Sequence, residues 1–295
     1  MQDYCEIMDE KEILNMRKSI NITKKRILDE NVYDYVKNAG FDGCDISLEN
    51  IEEMCSENWE TYIYRIKELL NSHNLECCQV HLPYHDLFVS SEIIQEDIKM
   101  AMLRAIKAMK ILDCKWGAYH PRTAFNNNCN SDISIKDNYN EISIYLEEAE
   151  KYNVGIAVEN IPIFPDCPQH RFFSADYDEL NYLVESFKSE KVGICWDFGH
   201  ANLMPIKQEK AFKILGDKIR ILHIHNNYRF CDSHVVPTLG TIDWESVMPS
   251  LKKCGYKGDF SLEVNYFNMD TELKSYFVHG YDALCMLERY YNRSK

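Results

Sequence analysis

Three apolar, β-prone runs in the second half of the chain each contain or end in a carboxylate or an imidazole. Residues 192–197 end in Asp197, residues 221–225 contain His223 and His225, and residues 260–263 end in Glu263. A buried parallel strand that ends in a polar residue delivers that side chain to a pocket at its carboxyl end. Asp, His and Glu together hold hard or borderline divalent cations. The sequence therefore predicts a metal site formed by several strand ends.

Residues 77–81, 116–120 and 154–159 show the same pattern and end in His81, His120 and Glu159. Pro83 and Pro121 follow the two histidines and interrupt the backbone ladder there. One such histidine is usually a hydrogen-bonded core residue, whereas two on the same rim as several carboxylates favour a role in the pocket. Converging carboxylates repel one another unless a cation joins them. We therefore expect these side chains near the same centre.

Three histidines later in the chain each allow two roles. His200 follows Asp197 by three residues, so it can share a metal ion with Asp197 or contact the substrate instead. His223 and His225 alternate by two and share one face of a strand. One of them is the expected ligand, while the other supports it or contacts the substrate.

Four further residues complete the candidate site. Asp232 and His234 are separated by one residue in a loop, where they can bind a metal or order the loop itself. Tyr84 and Trp116 are aromatic side chains near strand ends that can stack on a sugar or a base, although packing in the core is the commoner role of such residues.

The elements that must position these residues alternate between strand and helix. We predict strands at residues 18–23, 41–47, 77–81, 116–120, 154–159, 192–197, 221–225 and 260–264. Helices are predicted at 28–39, 59–72, 92–112, 139–152, 178–187, 208–215, 243–253 and 271–293. Residues 1–13 form an irregular or helical lead-in, and residues 125–130 and 161–173 form loops.

This alternation indicates an α/β fold, specifically an eightfold βα barrel, the (β/α)8 or TIM barrel, as a single domain over residues 1–295. Successive strand ends lie at intervals of roughly 26 to 40 residues, as such barrels require. A doubly wound open sheet has the same alternation but concentrates its site at one switch point. Nearly every strand here ends in a polar residue, which favours the barrel.

Composition and charge disfavour several classes of protein. The formal net charge of −14 argues against a nucleic-acid partner. Twelve scattered cysteines without a Cys-x-x-Cys pair are expected to be reduced thiols. The chain lacks a leader-like start and an apolar run of membrane-spanning length, so we expect a soluble cytoplasmic protein. The sequence is also compatible with a homo-oligomer. Phosphate-loop and dinucleotide-binding motifs are missing.

Seven short motifs occur in a fixed order from about residue 40 onward. They are His81-Leu-Pro-Tyr84, His120-Pro121, Val158-Glu159-Asn160, Asp197-Phe-Gly-His200, His223-Ile-His-Asn, Asp232-Ser-His234 and Glu263. In these motifs the chain resembles the xylose-isomerase-like barrel superfamily. That superfamily includes sugar phosphate isomerases and epimerases, inosose dehydratases, and the endonuclease IV class of abasic-site nucleases.

The resemblance implies a ligand set. Glu159, Asp197, His223 and Glu263 match the metal-binding quartet of the isomerase and epimerase branch. The additional ligands that complete a three-zinc cluster in the nuclease branch are matched by His81, His120, His200, Asp232 and His234. The expected cofactor is therefore a divalent ion, zinc, manganese or magnesium, with one to three ions per chain.

The chain departs from the superfamily pattern at three positions. Arg122 stands where Gly is usual, Asn226 where Asp is frequent, and Thr238 replaces the first Gly of a Gly-x-Gly. An arginine in place of glycine can alter a phosphate-cradling turn after His120.

The leading functional hypothesis is a metal-dependent isomerase or epimerase of a small sugar, sugar phosphate or polyol. Glu159 and Glu263 would transfer protons on opposite faces of a substrate carbon while the metal stabilises an ene-diolate. The alternative is a zinc-dependent phosphodiesterase, an AP endonuclease of family 2, acting at abasic DNA sites. A third hypothesis is a sensor that binds its ligand without turnover.

Overall fold

The computed structural model describes residues 15–93, 95–125, 130–168, 170–266 and 273–293. Eight parallel strands form one sheet in the order β7-β6-β5-β4-β3-β2-β1-β8. The strands are β1 Lys18–Ile22, β2 Gly43–Ser47, β3 Glu76–His81, β4 Trp116–Tyr119, β5 Gly155–Glu159, β6 Val192–Asp197, β7 Ile219–His223 and β8 Phe260–Leu262.

The ring of strands closes between β7 and β8. The Ile224 N–H donates to the Ser261 carbonyl at 2.8 Å, and the Glu263 N–H donates to the Ile224 carbonyl at 3.0 Å. These bonds join the two ends of the strand order, so the predicted eightfold barrel is confirmed. Because all strands are parallel, their carboxyl ends meet at one end of the barrel.

The helices lie between successive strands and cover the outside of the barrel. They are α1 Glu30–Ala39, α2 Ile51–Cys55, α3 Trp59–Ser72, α4 Glu96–Ile111, α5 Ser131–Tyr152, α6 Tyr177–Ser186, α7 Phe198–Leu203, α8 Gln208–Leu215, α9 Trp244–Lys253 and α10 Leu273–Asn292. In the part of the chain that the structure describes, none of these helices has the length and apolar character needed to cross a bilayer.

Most predicted helices agree with the structure to within a few residues, with three exceptions. Helix α5 begins at Ser131 rather than at residue 139, because the Asn130 side chain caps it by accepting the Ile133 N–H. The short helices α2 and α7 were not predicted, since each is too short for a periodic apolar pattern. The expected lead-in at residues 1–13 and part of the loop at 125–130 lie outside the described residues.

Candidate metal centre

The four residues of the predicted quartet lie together at the carboxyl end of the barrel. Glu159 and Asp197 end β5 and β6, His223 ends β7, and Glu263 follows β8. One ligand atom from each of the four lies within 4.8 Å of those from the other three. His223 Nδ1 is 3.3 Å from Glu159 Oε1 and 3.3 Å from Glu263 Oε2. This spacing fits one cation held by three carboxylates and one imidazole.

The quartet contains buried polar atoms that the protein does not satisfy. Both ring nitrogens of His223 and Oε2 of Glu159 are buried without a hydrogen-bond partner. The short distances around His223 therefore do not have hydrogen-bond geometry. A buried polar group left without a partner costs roughly 1–3 kcal/mol. A cation at the quartet would be bound by Nδ1 of His223 and by the carboxylate of Glu159, while Nε2 of His223 faces away from the quartet. The residues present therefore fit a divalent metal ion.

The electrostatics of the quartet keep Glu159 and Asp197 ionised. Burial raises the pKa of Glu159, but His223 and His120 lower it more, and the pKa lies well below its ordinary value. Burial lowers the pKa of His223, yet Cys195 and the carboxylates of the quartet raise it well above the usual range. In the metal-free protein the His223 proton thus takes the place of a positive ion, and a metal must displace it.

The structure places His223, and not His225, in the quartet. Its Nε2 lies 3.5 Å from Oδ2 of Asp45, which also accepts a hydrogen bond from Gln79 Nε2 at 3.0 Å. Asp45 is fully buried in β2 and orients the ring from behind, as partners of ligating histidines commonly do. The sequence reasoning missed Asp45, although a carboxylate inside an apolar strand was a detectable signal.

Asn160 fixes the relative position of β5 and β6 next to the quartet. Its side chain accepts the Asp197 N–H at 2.7 Å and donates to the Asp197 carbonyl at 2.9 Å. Its own carbonyl accepts the Nδ1 proton of His200 at 2.9 Å. Asn160 therefore holds both Asp197 and His200 in place.

A second set of donors lies beside the quartet, and we call it the second donor set. It consists of His200, His225, Asp232 and His234, whose ligand atoms also lie within 4.8 Å of one another. His200 and His234 each use Nδ1 on a backbone carbonyl, of Asn160 and Glu263 respectively. Their Nε2 atoms both face Oδ2 of Asp232, at 3.2 and 3.0 Å. This arrangement leaves both Nε2 atoms oriented for a metal ion.

Asp232 sets the charge state of this second donor set. Burial lowers the pKa of His234, but the neighbouring Asp232 raises it to about 9. Burial likewise lowers the pKa of His200, while Asp197 and Asp232 raise it well above its usual value. The His225 ring stacks on His234 at 3.8 Å between centroids, and its Nε2 lies 3.0 Å from Asp197 Oδ2. The second set is thereby joined to the quartet.

His81 and His120 border the quartet on the other side. His120 Nε2 lies 3.1 Å from Glu159 Oε2 and 3.1 Å from His81 Nε2. His81, Glu159 and His223 form a third group of converging donors. Burial lowers the pKa of His81, but Glu49, 3.3 Å from its Nδ1, raises it above the ordinary value. The structure thus brings all nine predicted ligand residues to one end of the barrel.

Tyr84 and Trp116, the two predicted aromatic contacts, lie at opposite ends of the barrel. The Tyr84 ring lies 4.5 Å from the His120 ring, between centroids, and so borders the site. Trp116 begins β4 and lies at the amino end of the barrel, where the Arg220 guanidinium stacks on it at 5.6 Å. The predicted substrate contact of Trp116 is therefore wrong, because Trp116 is the first residue of β4 and the metal centre lies at the carboxyl ends of the strands.

Two departures from the superfamily pattern stabilise loops at the rim. Arg122 is buried and donates to Glu141 and to the carbonyls of Ser90 and Ile93, so its guanidinium is used by the protein and does not cradle a phosphate. It holds the loop that follows His120 against α5.

Asn226 organises the loop after β7. Its Oδ1 accepts the N–H groups of Asn227, Thr241 and Ile242. Gly240, at φ +93°, packs so closely that a Cβ there would lie 2.4 Å from Asn226 Oδ1. A glycine is required at that position, both for its backbone conformation and for the close approach.

Comparisons with known proteins agree with this architecture. A family model described as "Xylose isomerase-like TIM barrel" matches residues 33–284. The uncharacterized protein MJ1311 of Methanocaldococcus jannaschii is 28% identical over 229 residues, covering 76% of this chain and 74% of that protein.

Solved structures of low sequence identity share the fold. A D-tagatose 3-epimerase-like protein is 22% identical with a TM-score of 0.74, over 94% of this chain and 98% of that one. The IolI protein with a bound zinc atom is 17% identical with a TM-score of 0.72, over 94% and 100%. The 3-keto-D-glucoside 4-epimerase YcjR of E. coli is 16% identical with a TM-score of 0.69, over 93% and 100%.

Proposed function

The chain belongs to the xylose isomerase-like TIM barrel family, and on that premise we propose that it is a divalent-metal-dependent isomerase or epimerase of a small sugar, sugar phosphate or polyol. The observation that carries the proposal is the convergence of Glu159, Asp197, His223 and Glu263 on one position. Two proteins of similar structure, a D-tagatose 3-epimerase-like protein and a 3-keto-D-glucoside 4-epimerase, support the substrate class.

Glu159 and Glu263 are the proposed acid–base pair. Glu159 is ionised at neutral pH, as a proton acceptor must be, and in the metal-free protein His223 and His120 stabilise this charged form. Glu263 keeps a partly exposed side chain, with 17% of its surface accessible, and can reach a substrate in the barrel mouth. Their strands are separated by β6 and β7, so the two carboxylates approach the shared space from different directions.

The remaining residues of the site bind the cation and the substrate or orient the metal ligands. The bound cation would polarise the substrate oxygens and stabilise negative charge on them. Asp45 fixes the His223 ring, and Asn160 fixes the Asp197 backbone. Tyr84 beside His120 offers an aromatic face to the substrate, the role predicted for both Tyr84 and Trp116.

The test is deuterium exchange from heavy water into a panel of ketoses and their phosphates, followed by mass spectrometry. Glu159→Gln and Glu263→Gln are expected to abolish exchange at the carbon next to the carbonyl. Glu185→Gln, the same change on the outer surface of α6, is the matched control and should retain full exchange. Metal content is measured for each variant, so that loss of the ion is distinguished from loss of proton transfer. Full exchange in both site variants would contradict the proposed roles.

A second candidate function is hydrolysis of a phosphodiester at abasic DNA sites. The second donor set and the pair His81 and His120 favour it, because together with the quartet they offer ligands for three ions. The net charge of −14 disfavours a polyanionic substrate. Three tightly bound zinc ions together with cleavage of an abasic oligonucleotide would favour this function, and one ion with no cleavage would favour the isomerase.

A further inference from the structure

A cavity of about 530 Å³ lies at the amino end of the barrel, opposite the metal centre. Its walls include the first residues of β3, β4 and β7 and the segment before β8. Small-molecule sites in proteins commonly occupy about 300–1,000 Å³. The cavity is therefore large enough for a small metabolite.

Two large side chains form the floor of this cavity, and each packs against a glycine: Trp116 against Gly155, and Arg220 against Gly193. A Cβ on Gly155 would lie 2.3 Å from the Trp116 ring, and a Cβ on Gly193 would lie 2.3 Å from Cγ of Arg220. The Arg220 guanidinium carbon lies 5.6 Å from the centre of the Trp116 ring. The two glycines thus leave space for the Trp116 ring and for the Arg220 side chain that lies over it.

The N–H groups of the Arg220 guanidinium have no protein acceptor among the residues that the structure describes. Among the described residues it makes no hydrogen bond or ion pair, and its Nε is buried without a partner. A guanidinium presents five donors in a planar fork that matches phosphate and carboxylate oxygens. An orphaned buried donor is costly, so its retention beside a cavity points to a ligand.

The cavity also carries surplus positive charge. Two of its cations are neutralised within the protein, Arg17 by Asp259 and Lys67 by Asp113. Lys115 and Lys257 are exposed and make no ion pair in the described ranges. Glu76 is a third carboxylate of the lining and also pairs with Arg17. The lining therefore has five cations and three carboxylates, a formal surplus of two positive charges in a chain whose net charge is −14.

We propose that this cavity binds a small molecule that carries a phosphate group. Arg220 anchors the phosphate through paired N–H donors, and Lys115 and Lys257 compensate its second charge. A phosphomonoester is a dianion at neutral pH and matches the two surplus positive charges, whereas a single carboxylate would neutralise only one of them. The site is separate from the metal centre and does not rest on the proposed isomerase function.

Isothermal titration calorimetry of the metal-loaded full chain with inorganic phosphate and with pyrophosphate tests the proposal. Arg220→Met keeps the aliphatic stem over Gly193 but removes the donors, and it should weaken binding about 10- to 100-fold, as expected for charge-assisted hydrogen bonds. The double variant Lys115→Ala, Lys257→Ala leaves the floor intact and should also weaken binding. Lys213→Ala removes an exposed lysine of α8 outside the cavity and should change nothing.

Phosphate can also bind a metal ion, and Asp232→Asn separates the two possibilities. Binding that survives Asp232→Asn but is lost in Arg220→Met supports the cavity. Binding that survives in Arg220→Met belongs to the metal centre, whether or not Asp232→Asn removes it, and overturns the proposal. Absence of binding to the unmodified chain at millimolar phosphate and pyrophosphate overturns it as well. If circular dichroism shows that Arg220→Met does not fold, the double variant Lys115→Ala, Lys257→Ala takes its place. Loss of binding in that variant supports the cavity, and unchanged binding overturns the proposal.

Discussion

Replacing Asp232 by Asn is expected to bring the pKa of His234 down from about 9 toward its ordinary value of 6.5 in the metal-free protein. Burial of His234 lowers this pKa, and the charge and hydrogen bond of Asp232 are the largest effects that raise it. Asparagine has nearly the same shape but no charge. The substitution therefore removes the main stabilisation of the imidazolium while leaving the His234 Nδ1 contact with the Glu263 carbonyl in place.

The raised pKa has a consequence for metal binding at the second donor set. A group with a pKa of about 9 is about 99% protonated at pH 7, and a metal ion must displace that proton. Competition by this one proton weakens the apparent affinity at pH 7 by about 100-fold, or about 2.7 kcal/mol, relative to high pH. Affinity is expected to rise with pH up to about 9, with one proton released from His234 for each ion bound.

Stability of the metal-free protein should follow the opposite trend. Because the folded-state pKa of His234 lies above the unfolded value, its stabilising contribution is fully present below about pH 6.5. That contribution is lost as the pH rises through about 9. The metal-free protein is thus expected to lose stability over the range in which its affinity for metal increases.

Two measurements check this reasoning. Carbon-detected NMR of labelled histidines gives the His234 pKa in the chelated protein and in Asp232→Asn, with His73 at the end of α3 as a chemical-shift reference away from the site. Calorimetry of Zn²⁺ binding in buffers of different protonation enthalpy gives the number of protons released at pH 7. A His234 pKa near 6.5 in the unmodified protein, or Zn²⁺ binding without proton release, would refute the reasoning.

Three further outcomes are expected. Chelation of the bound metal should lower the free energy of unfolding, by about 2.7 kcal/mol if the free ion had been at 100 times its Kd, and denaturant titration with and without chelator checks this. Asn160→Ala should destabilise the protein by roughly 1–3 kcal/mol for each backbone group of Asp197 that it leaves unpaired, as measured by the same titration; no loss of stability would contradict the bridging role. Gly199→Ala places a Cβ 1.9 Å from Cε1 of His225, so in a Zn²⁺ titration the uptake by the second donor set should be lost and the uptake by the quartet retained; a variant that binds more than one ion per chain would contradict this.

Much of the fold could be predicted from the chain because its signals are local. A polar residue at the end of an apolar run identifies a strand and the end of the barrel to which it points, as for Glu159 and Asp197. Helices α3 and α8 agree with their predicted bounds because their apolar residues recur at helical spacing. Parallel closure then places every strand end on one rim, whatever the distances along the chain.

The choice between His223 and His225 could not be made from the sequence, which shows only that they share a face. In the barrel, His223 pairs in register with Asp197, whereas His225 lies beyond the end of β7 and contacts His234. A shift of two residues along a strand moves a side chain by roughly 6–7 Å, which is enough to change the donor set to which it belongs.

By itself, then, the sequence determined the kind of fold, the end of the barrel that carries the chemistry and the residue types of the quartet, since periodicity and strand ends are properties of neighbouring residues. Only the tertiary structure showed that Asp45 contacts His223, that Trp116 lies at the amino end of the barrel, and that Arg220 lies over the Trp116 ring. Those contacts join residues far apart in the chain, and they exist because a closed ring of eight strands brings their side chains within a few ångströms of one another.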